Sequence, residues 1–191
     1  DEYGWSIAVD GIGNVYTTGY FAGTVDFDPG APVYNLTSAG GYDIFVSKLD
    51  ASGNFVWAKS MSGTDNDFGH SIALDGSGNV YTTGKFAGTV DFDPDAPVYN
   101  LTSAGLHDIF ISKLDASGNF VWAKSMDGAA NGDYGWSIAL DGIGNVYIMG
   151  DQYSPVVDYD PGAGTFNLSN TGIEANFIAR YDNNGNFLCA M

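Results

Sequence analysis

The chain has 191 residues, of which 45% are hydrophobic and 15% aromatic, which is enough for a packed core. Its 23 acidic and six basic residues give a net charge of −17. This balance excludes nucleic acid and anionic membranes as partners, because both require clustered Lys and Arg. No run approaches the roughly 18 apolar residues that span a bilayer, so no membrane insertion is expected.

The chain is organised by an internal repeat. Residues 6–60 recur almost unchanged at 71–125, with seven differences over 55 positions, and a looser third copy begins near Trp136. A period this long is typical of supersecondary units that bury their faces on one another. We therefore divide the chain into three repeat units, residues 1–65, 66–131 and 132–191.

Four short strands are predicted in the first unit, at residues 7–9, 15–18, 44–49 and 55–57, because β-branched and aromatic residues favour strands. The first two strands, and the last two, are joined by a turn of pattern D-x-x-G-N. In this turn the Asp side chain caps the backbone, while Gly and Asn tolerate the positive φ of a tight hairpin. The pattern begins at Asp10, Asp50, Asp75, Asp115, Asp141 and Asp182. Each unit is therefore predicted to be a four-stranded antiparallel sheet.

A longer connection, residues 22–42, joins the second and third strands of the first unit. Its VDFDPGAPVYNL core has alternating apolar residues around a Pro-Gly turn, which predicts an additional hairpin. Because the D-x-x-G-N turns share one edge of each sheet, we expect these connections on the opposite face, together with acids of the loops between units such as Asp65 and Asp67. That face is then predicted to be strongly acidic.

Paired aspartates in the long connections are the candidate metal ligands. Asp26 and Asp28 are two residues apart, so on an extended strand their carboxylates project to the same side and can share a hard cation such as Ca²⁺ with backbone carbonyls. The alternative is turn chemistry, since Asp28-Pro29-Gly30 forms a good turn by itself and no EF-hand spacing is present. The six candidate ligands are Asp26, Asp28, Asp91, Asp93, Asp158 and Asp160.

The two histidines are conspicuous breaks in the repeat symmetry. His70 stands where the other units have Trp5 and Trp136, and His107 stands where the first unit has Tyr42. Histidine is a natural acid or base near neutral pH. Exchange among aromatic packing positions is the simpler interpretation, so we assign no catalytic residue.

Large aromatic residues on the predicted fourth strand indicate how the units pack. Trp57 and Trp122 occupy the same position in two units, where an indole ring can fill the space between neighbouring sheets. Cys189 holds this position in the third unit. Its place on a strand predicts a buried structural thiol and not a nucleophile.

The runs D-x-x-G-N-V-Y-T-T-G and D-I-F-V-S-K-L-D-x-x-G-N-F-V-W-A-K resemble the SBBP-type β-propeller repeats of bacterial secreted and surface proteins. The resemblance covers essentially the whole chain, although the third copy departs from it at Ile148-Met149-Gly150 and at Cys189. It implies one propeller blade per repeat and a secreted or cell-surface location. It implies no defined catalytic residues.

The sequence thus predicts an all-β, three-blade segment of a β-propeller. We expect a non-catalytic structural or binding module of a bacterial secreted or surface protein, stabilised by calcium. Propellers close with four to eight blades, so three blades leave apolar end faces uncovered. The expected partners are copies of the chain or further blades of a longer chain that complete a ring or filament, and a protein or glycan ligand. The alternative is a carbohydrate-active hydrolase or lyase, with paired carboxylates acting as acid and base in a pocket on the acidic face.

Overall fold

The computed structural model of the chain describes residues 1–191 and consists of antiparallel β-strands without a helix, which confirms the all-β prediction. The chain accordingly has no helix that could cross a membrane. The strands of the first unit are β1 (Glu2–Val9), β2 (Val15–Phe21), β3 (Thr24–Asp26), β4 (Asn35–Thr37), β5 (Asp43–Leu49) and β6 (Phe55–Gly63). Those of the second are β7 (Phe68–Leu74), β8 (Val80–Phe86), β9 (Thr89–Asp91), β10 (Asn100–Thr102), β11 (Asp108–Leu114) and β12 (Phe120–Gly128). Those of the third are β13 (Tyr134–Leu140), β14 (Val146–Gln152), β15 (Val156–Asp158), β16 (Asn167–Ser169), β17 (Ala175–Tyr181) and β18 (Phe187–Ala190).

The four longer strands of each unit form an antiparallel sheet in chain order: β1-β2-β5-β6, β7-β8-β11-β12 and β13-β14-β17-β18. The first strands of the units approach one another, since β7 packs beside both β1 and β13. The units are therefore arranged side by side, with their first strands next to one another.

The D-x-x-G-N turns are held by the side chains of their own Asp and Asn. Asp50 Oδ1 accepts hydrogen bonds from the backbone N–H of Ser52 (2.8 Å) and Asn54 (2.9 Å), and Oδ2 accepts one from Asn54 Nδ2 (2.8 Å). Within this turn only Gly53 has a positive φ, of 82°. In the whole chain, every residue with a positive φ is a glycine. Asn54 therefore does not adopt a positive φ in this turn; its side-chain amide instead donates a hydrogen bond to the Asp50 carboxylate, and these bonds lower the pKa of Asp50.

Each long connection forms the predicted hairpin, but two of the hairpins pair with the preceding unit. The β9–β10 hairpin extends the first sheet beyond β6, and the β15–β16 hairpin extends the second beyond β12. The β3–β4 hairpin of the first unit stands as a separate two-stranded sheet. Each junction between units is therefore joined by backbone hydrogen bonds as well as by side-chain packing.

The core lies between the units, in two clusters of 13 buried residues, one at each junction. Trp57 lies at the first junction and donates a hydrogen bond from Nε1 to Ala116 O of the second unit (3.4 Å). Trp122 repeats this contact with Asn183 O of the third unit (3.2 Å). The two indoles therefore lie between units, as the sequence predicts.

The outer faces of the first and third units expose positions that the junctions bury. Ile7 is 65% exposed, whereas its equivalent Ile72 is 6% exposed. At the other end Ile178 is 50% exposed, whereas its equivalent Ile111 is fully buried. The structure thus has two open, largely apolar faces, which we call the end faces.

Cys189 lies on the end face of the third unit and is exposed. The prediction of a buried thiol was wrong because the tryptophans at this position are covered by the following unit. Met149 at this end is likewise exposed, although its equivalent Thr83 is fully buried.

Candidate functional site

The predicted metal ligands of the first unit are occupied by turn contacts. Asp26 Oδ1 accepts hydrogen bonds from the backbone N–H of Asp28 (3.0 Å) and Tyr34 (2.8 Å), and Asp28 Oδ1 accepts one from the N–H of Gly30 (2.7 Å). These hydrogen bonds are those of a turn, which is the alternative to calcium binding considered for the paired aspartates. The second oxygen of each carboxylate remains outside this network.

The same contacts recur in the other two units, where the carboxylates are Asp91, Asp93, Asp158 and Asp160. The six aspartates therefore lie in three separate hairpins, one pair in each. No group of three or more His, Cys, Asp or Glu side chains is arranged to hold a metal ion. Calcium takes six to eight oxygen ligands, so a pair alone needs backbone oxygens and water to complete a site.

The long connection does not stay on the face opposite the D-x-x-G-N turns. Its tip folds back along the sheet, so that Asp28 and Pro29 line the same cavity of about 480 Å³ as Gly53 and Asn54. The expectation of a single face that collects the paired aspartates and the acidic loops between units was therefore wrong.

Acids of the loops between units are partly internal. Asp67 is fully buried, and its Oδ1 accepts a hydrogen bond from the backbone N–H of Ala87 (2.9 Å) while Oδ2 has no partner. Burial raises the pKa of Asp67 to about 7, and the charges of Asp43 and Asp65 contribute. Burial also raises the pKa of Asp108 to about 6. Both carboxylates accept hydrogen bonds from backbone N–H groups of the second unit and are buried, so they do not form an acidic surface.

Aromatic side chains cluster at the strand ends opposite the D-x-x-G-N turns. We call this surface the aromatic face; its rings belong to Tyr3, Trp5, Tyr20, Tyr42, Phe68, His70, His107, Tyr134, Trp136 and Tyr153. Neighbouring units are linked there by ring contacts, such as Tyr20 to Phe68 at 4.7 Å. The position of Tyr20 is taken by Lys85 in the second unit and by Asp151 in the third.

His70 lies inside this cluster and is a packing residue. Its ring stacks on Trp136 at 4.4 Å and lies 5.4 Å from Trp5, and Nδ1 donates a hydrogen bond to Gly135 O (2.9 Å). Burial lowers the pKa of His70 to about 4. The ring is therefore neutral at pH 7 and poorly placed for acid-base chemistry.

Sequence reasoning noticed only two of the substitutions on the aromatic face. Among the seven differences between residues 6–60 and 71–125, two fall there: Tyr20 to Lys85, and Tyr42 to His107. A comparison of all three copies identifies the face more fully, because the packing positions repeat while these positions change in chemical type. This variation is the signal that could have located a candidate binding surface.

The fold defines an all-β repeat protein made of antiparallel four-stranded units. Residues 57–85, which span the first junction, match the model of the SBBP family, described as a beta-propeller repeat. This match confirms the resemblance to SBBP-type repeats.

Two proteins from other organisms are similar to parts of the chain. The chain is 26% identical over 209 residues to the "Uncharacterized WD repeat-containing protein L264" of Acanthamoeba polyphaga mimivirus, covering 94% of this chain and 15% of the viral protein. It is 29% identical over 86 residues to the "Regulatory protein FlaEY" of Caulobacter vibrioides, covering 45% of this chain and 9% of the bacterial protein. The chain thus spans a small part of each relative.

Proposed function

We propose that the chain is a three-blade segment of a β-propeller and acts as a non-catalytic structural and binding module. The four-stranded units, whose first strands lie next to one another, support the blade assignment, and the SBBP match supports a propeller repeat. The WD-repeat name of the viral relative is consistent with a scaffold role. By analogy with the SBBP repeats of secreted and surface proteins, we assign it to the bacterial cell surface or exterior.

The observation that carries this proposal is the exposure of the end faces. At each junction, the surface equivalent to that around Ile178 is buried against the surface equivalent to that around Ile7. These same two surfaces are exposed at the third and the first unit. Soluble proteins rarely leave contiguous apolar patches of this kind uncovered. The end faces are therefore joined by further blades, supplied by a second copy or by a longer chain.

Light scattering on the purified chain tests this assembly. We expect a dimer or a larger head-to-tail assembly, since such contacts close or propagate. Ile7→Lys and Ile178→Lys place a charge on opposite end faces and should each give the monomer. Val98→Lys is the control, because Val98 belongs to the middle unit and is 65% exposed without lying on an end face. A monomeric wild-type chain at all concentrations would refute the proposal, as would assemblies that persist in both end-face variants.

A further inference from the structure

The third unit has a distinctive corner on the aromatic face. The ring of Tyr134 lies 5.6 Å from that of Trp136 and 5.5 Å from that of Tyr153, with interplanar angles of 63° and 58°. Trp136 remains 36% exposed. The three rings are therefore inclined to one another and partly open to solvent, and the Trp136 ring stacks with one of its faces on His70.

Two carboxylates border these rings. Asp151 accepts hydrogen bonds from Trp136 Nε1 (2.5 Å) and Asn176 Nδ2 (2.7 Å), which fix its orientation at the edge of the indole. Partial burial raises the pKa of Tyr153, and the neighbouring carboxylates of Glu174 and Asp151 raise it further. The electrostatic potential at the Tyr153 hydroxyl is therefore negative.

Three groups of this corner are specific to the third unit, whereas Tyr134 and Trp136 have the equivalents Tyr3 and Trp5 in the first unit. Asp151 replaces Tyr20 and Lys85, Glu174 replaces Tyr42 and His107, and Tyr153 replaces two alanines, Ala22 and Ala87. None of these changes is required by packing, because the first and second units form the same sheet without them. The corner therefore differs from its equivalents in the ways that favour a positively charged ligand.

The structure already places a cation against one of these rings. Lys85 Nζ lies 4.2 Å from the centre of the Tyr134 ring and 4.7 Å from that of Phe68. Ammonium groups over aromatic faces are attracted by the ring quadrupole. A lysine from the second unit thus shows that rings of the aromatic face accept an ammonium group.

We propose that the corner formed by Tyr134, Trp136, Tyr153, Asp151 and Glu174 binds an organic cation: an ammonium, guanidinium or quaternary ammonium group of a small molecule or of a basic peptide. The rings provide cation–π contacts and the two carboxylates provide charge complementarity. The net charge of −17 attracts such ligands to the chain as a whole. Lys85 opposes the ligand, because it brings a like charge to one ring of the same corner.

Titration with choline, monitored by tryptophan fluorescence and NMR, tests the site. Its uncharged isostere 3,3-dimethylbutan-1-ol is the control for apolar contact, and blocked arginine and lysine amides distinguish a peptide-derived cation from a quaternary ammonium. We expect millimolar binding of at least one cation and none of the isostere. Raising the salt to about 1 M, where the Debye length is about 3 Å, should weaken binding.

Variants assign the binding to the corner. Glu174→Gln and Tyr153→Ala should each weaken it about two- to fivefold, whereas Lys85→Gln should strengthen it. Glu2→Gln is the matched control, since Glu2 is the only other glutamate and is exposed on the first unit. Equal binding of the isostere, or an equal effect of Glu2→Gln and Glu174→Gln, would overturn the proposal. The titration is repeated on monomeric Ile7→Lys, whose added charge lies on the first unit, so that the outcome does not depend on assembly.

Discussion

Replacing the buried Asp67 by Asn should stabilise the protein at alkaline pH. The carboxylate is fully buried, has one oxygen without a partner, and has its pKa raised from 3.8 to about 7, chiefly by burial. Asn retains an oxygen that accepts the hydrogen bond from Ala87 and carries no charge. The substitution therefore removes the cost of a buried anion without removing the contact that holds the loop.

The sign and size of the effect follow from linkage. Between pH 4 and 7 folded Asp67 binds a proton that the unfolded chain has lost, so raising the pH through this range lowers the free energy of unfolding. A rise in pKa from 3.8 to about 7 corresponds to about 4 kcal/mol at 1.36 kcal/mol per pH unit. Asp67→Asn should therefore gain up to about 4 kcal/mol over wild type at pH 8, and less than about 1 kcal/mol at pH 4.

Urea denaturation followed by tryptophan fluorescence measures this difference. Wild type, Asp67→Asn and Glu2→Gln are compared at pH 4 and pH 8. The exposed Glu2 is the matched control, because its substitution changes the net charge by the same amount and its charge is not among those that raise the pKa of Asp67. Comparison at equal pH also cancels the opposite contribution of His70, whose lowered pKa makes stability rise between about pH 4 and 6.5. An equal response of the two variants, or a pH-independent effect of Asp67→Asn, would refute the argument.

Two further predictions concern the junctions and the paired aspartates. Trp57→Ala should cost about 3 kcal/mol and Trp122→Ala less, because Trp57 is buried and Trp122 only half-buried; equal losses in urea denaturation would contradict this ordering. Millimolar calcium should raise the melting temperature above that in sodium chloride of matched ionic strength, through the Asp26 and Asp28 pair and its equivalents. Asp28→Asn should reduce this shift, and identical curves in the two salts would show screening alone.

The repeat made most of the fold predictable from the sequence. Two nearly identical copies fix the unit, and the six D-x-x-G-N turns fix which strands form hairpins. The role of Asn54 was missed because the D-x-x-G-N pattern is compatible with two roles for Asn. Its side chain can donate a hydrogen bond to Asp50, or its backbone can adopt a positive φ. The partner of the β9–β10 hairpin was also hidden, since an alternating run predicts a strand but does not say which sheet it joins.

The candidate site was less predictable, for physical reasons. Asp67 appears as a surface acid in a polar loop, and only the packed junction shows that it is buried. Calcium binding depends on the directions of carboxylate oxygens, which a spacing of two residues does not fix. The corner on the aromatic face combines residues 134 to 174, and its composition becomes informative only when the three copies are superimposed.

The attachment of the β9–β10 and β15–β16 hairpins to the preceding unit has a consequence for how such arrays grow. Each duplicated stretch contributes a hairpin that pairs with the sheet of the preceding unit. The duplicated sequence segment and the hydrogen-bonded sheet therefore have different boundaries. Adding copies to a linear array does not change its two ends. The hairpin of the first unit still has no sheet to join, and the last strand of the last unit still has an unpaired edge. In a closed ring the unpaired hairpin can pair with the unpaired strand edge. Closure is therefore stabilised by backbone hydrogen bonds, independently of any ligand.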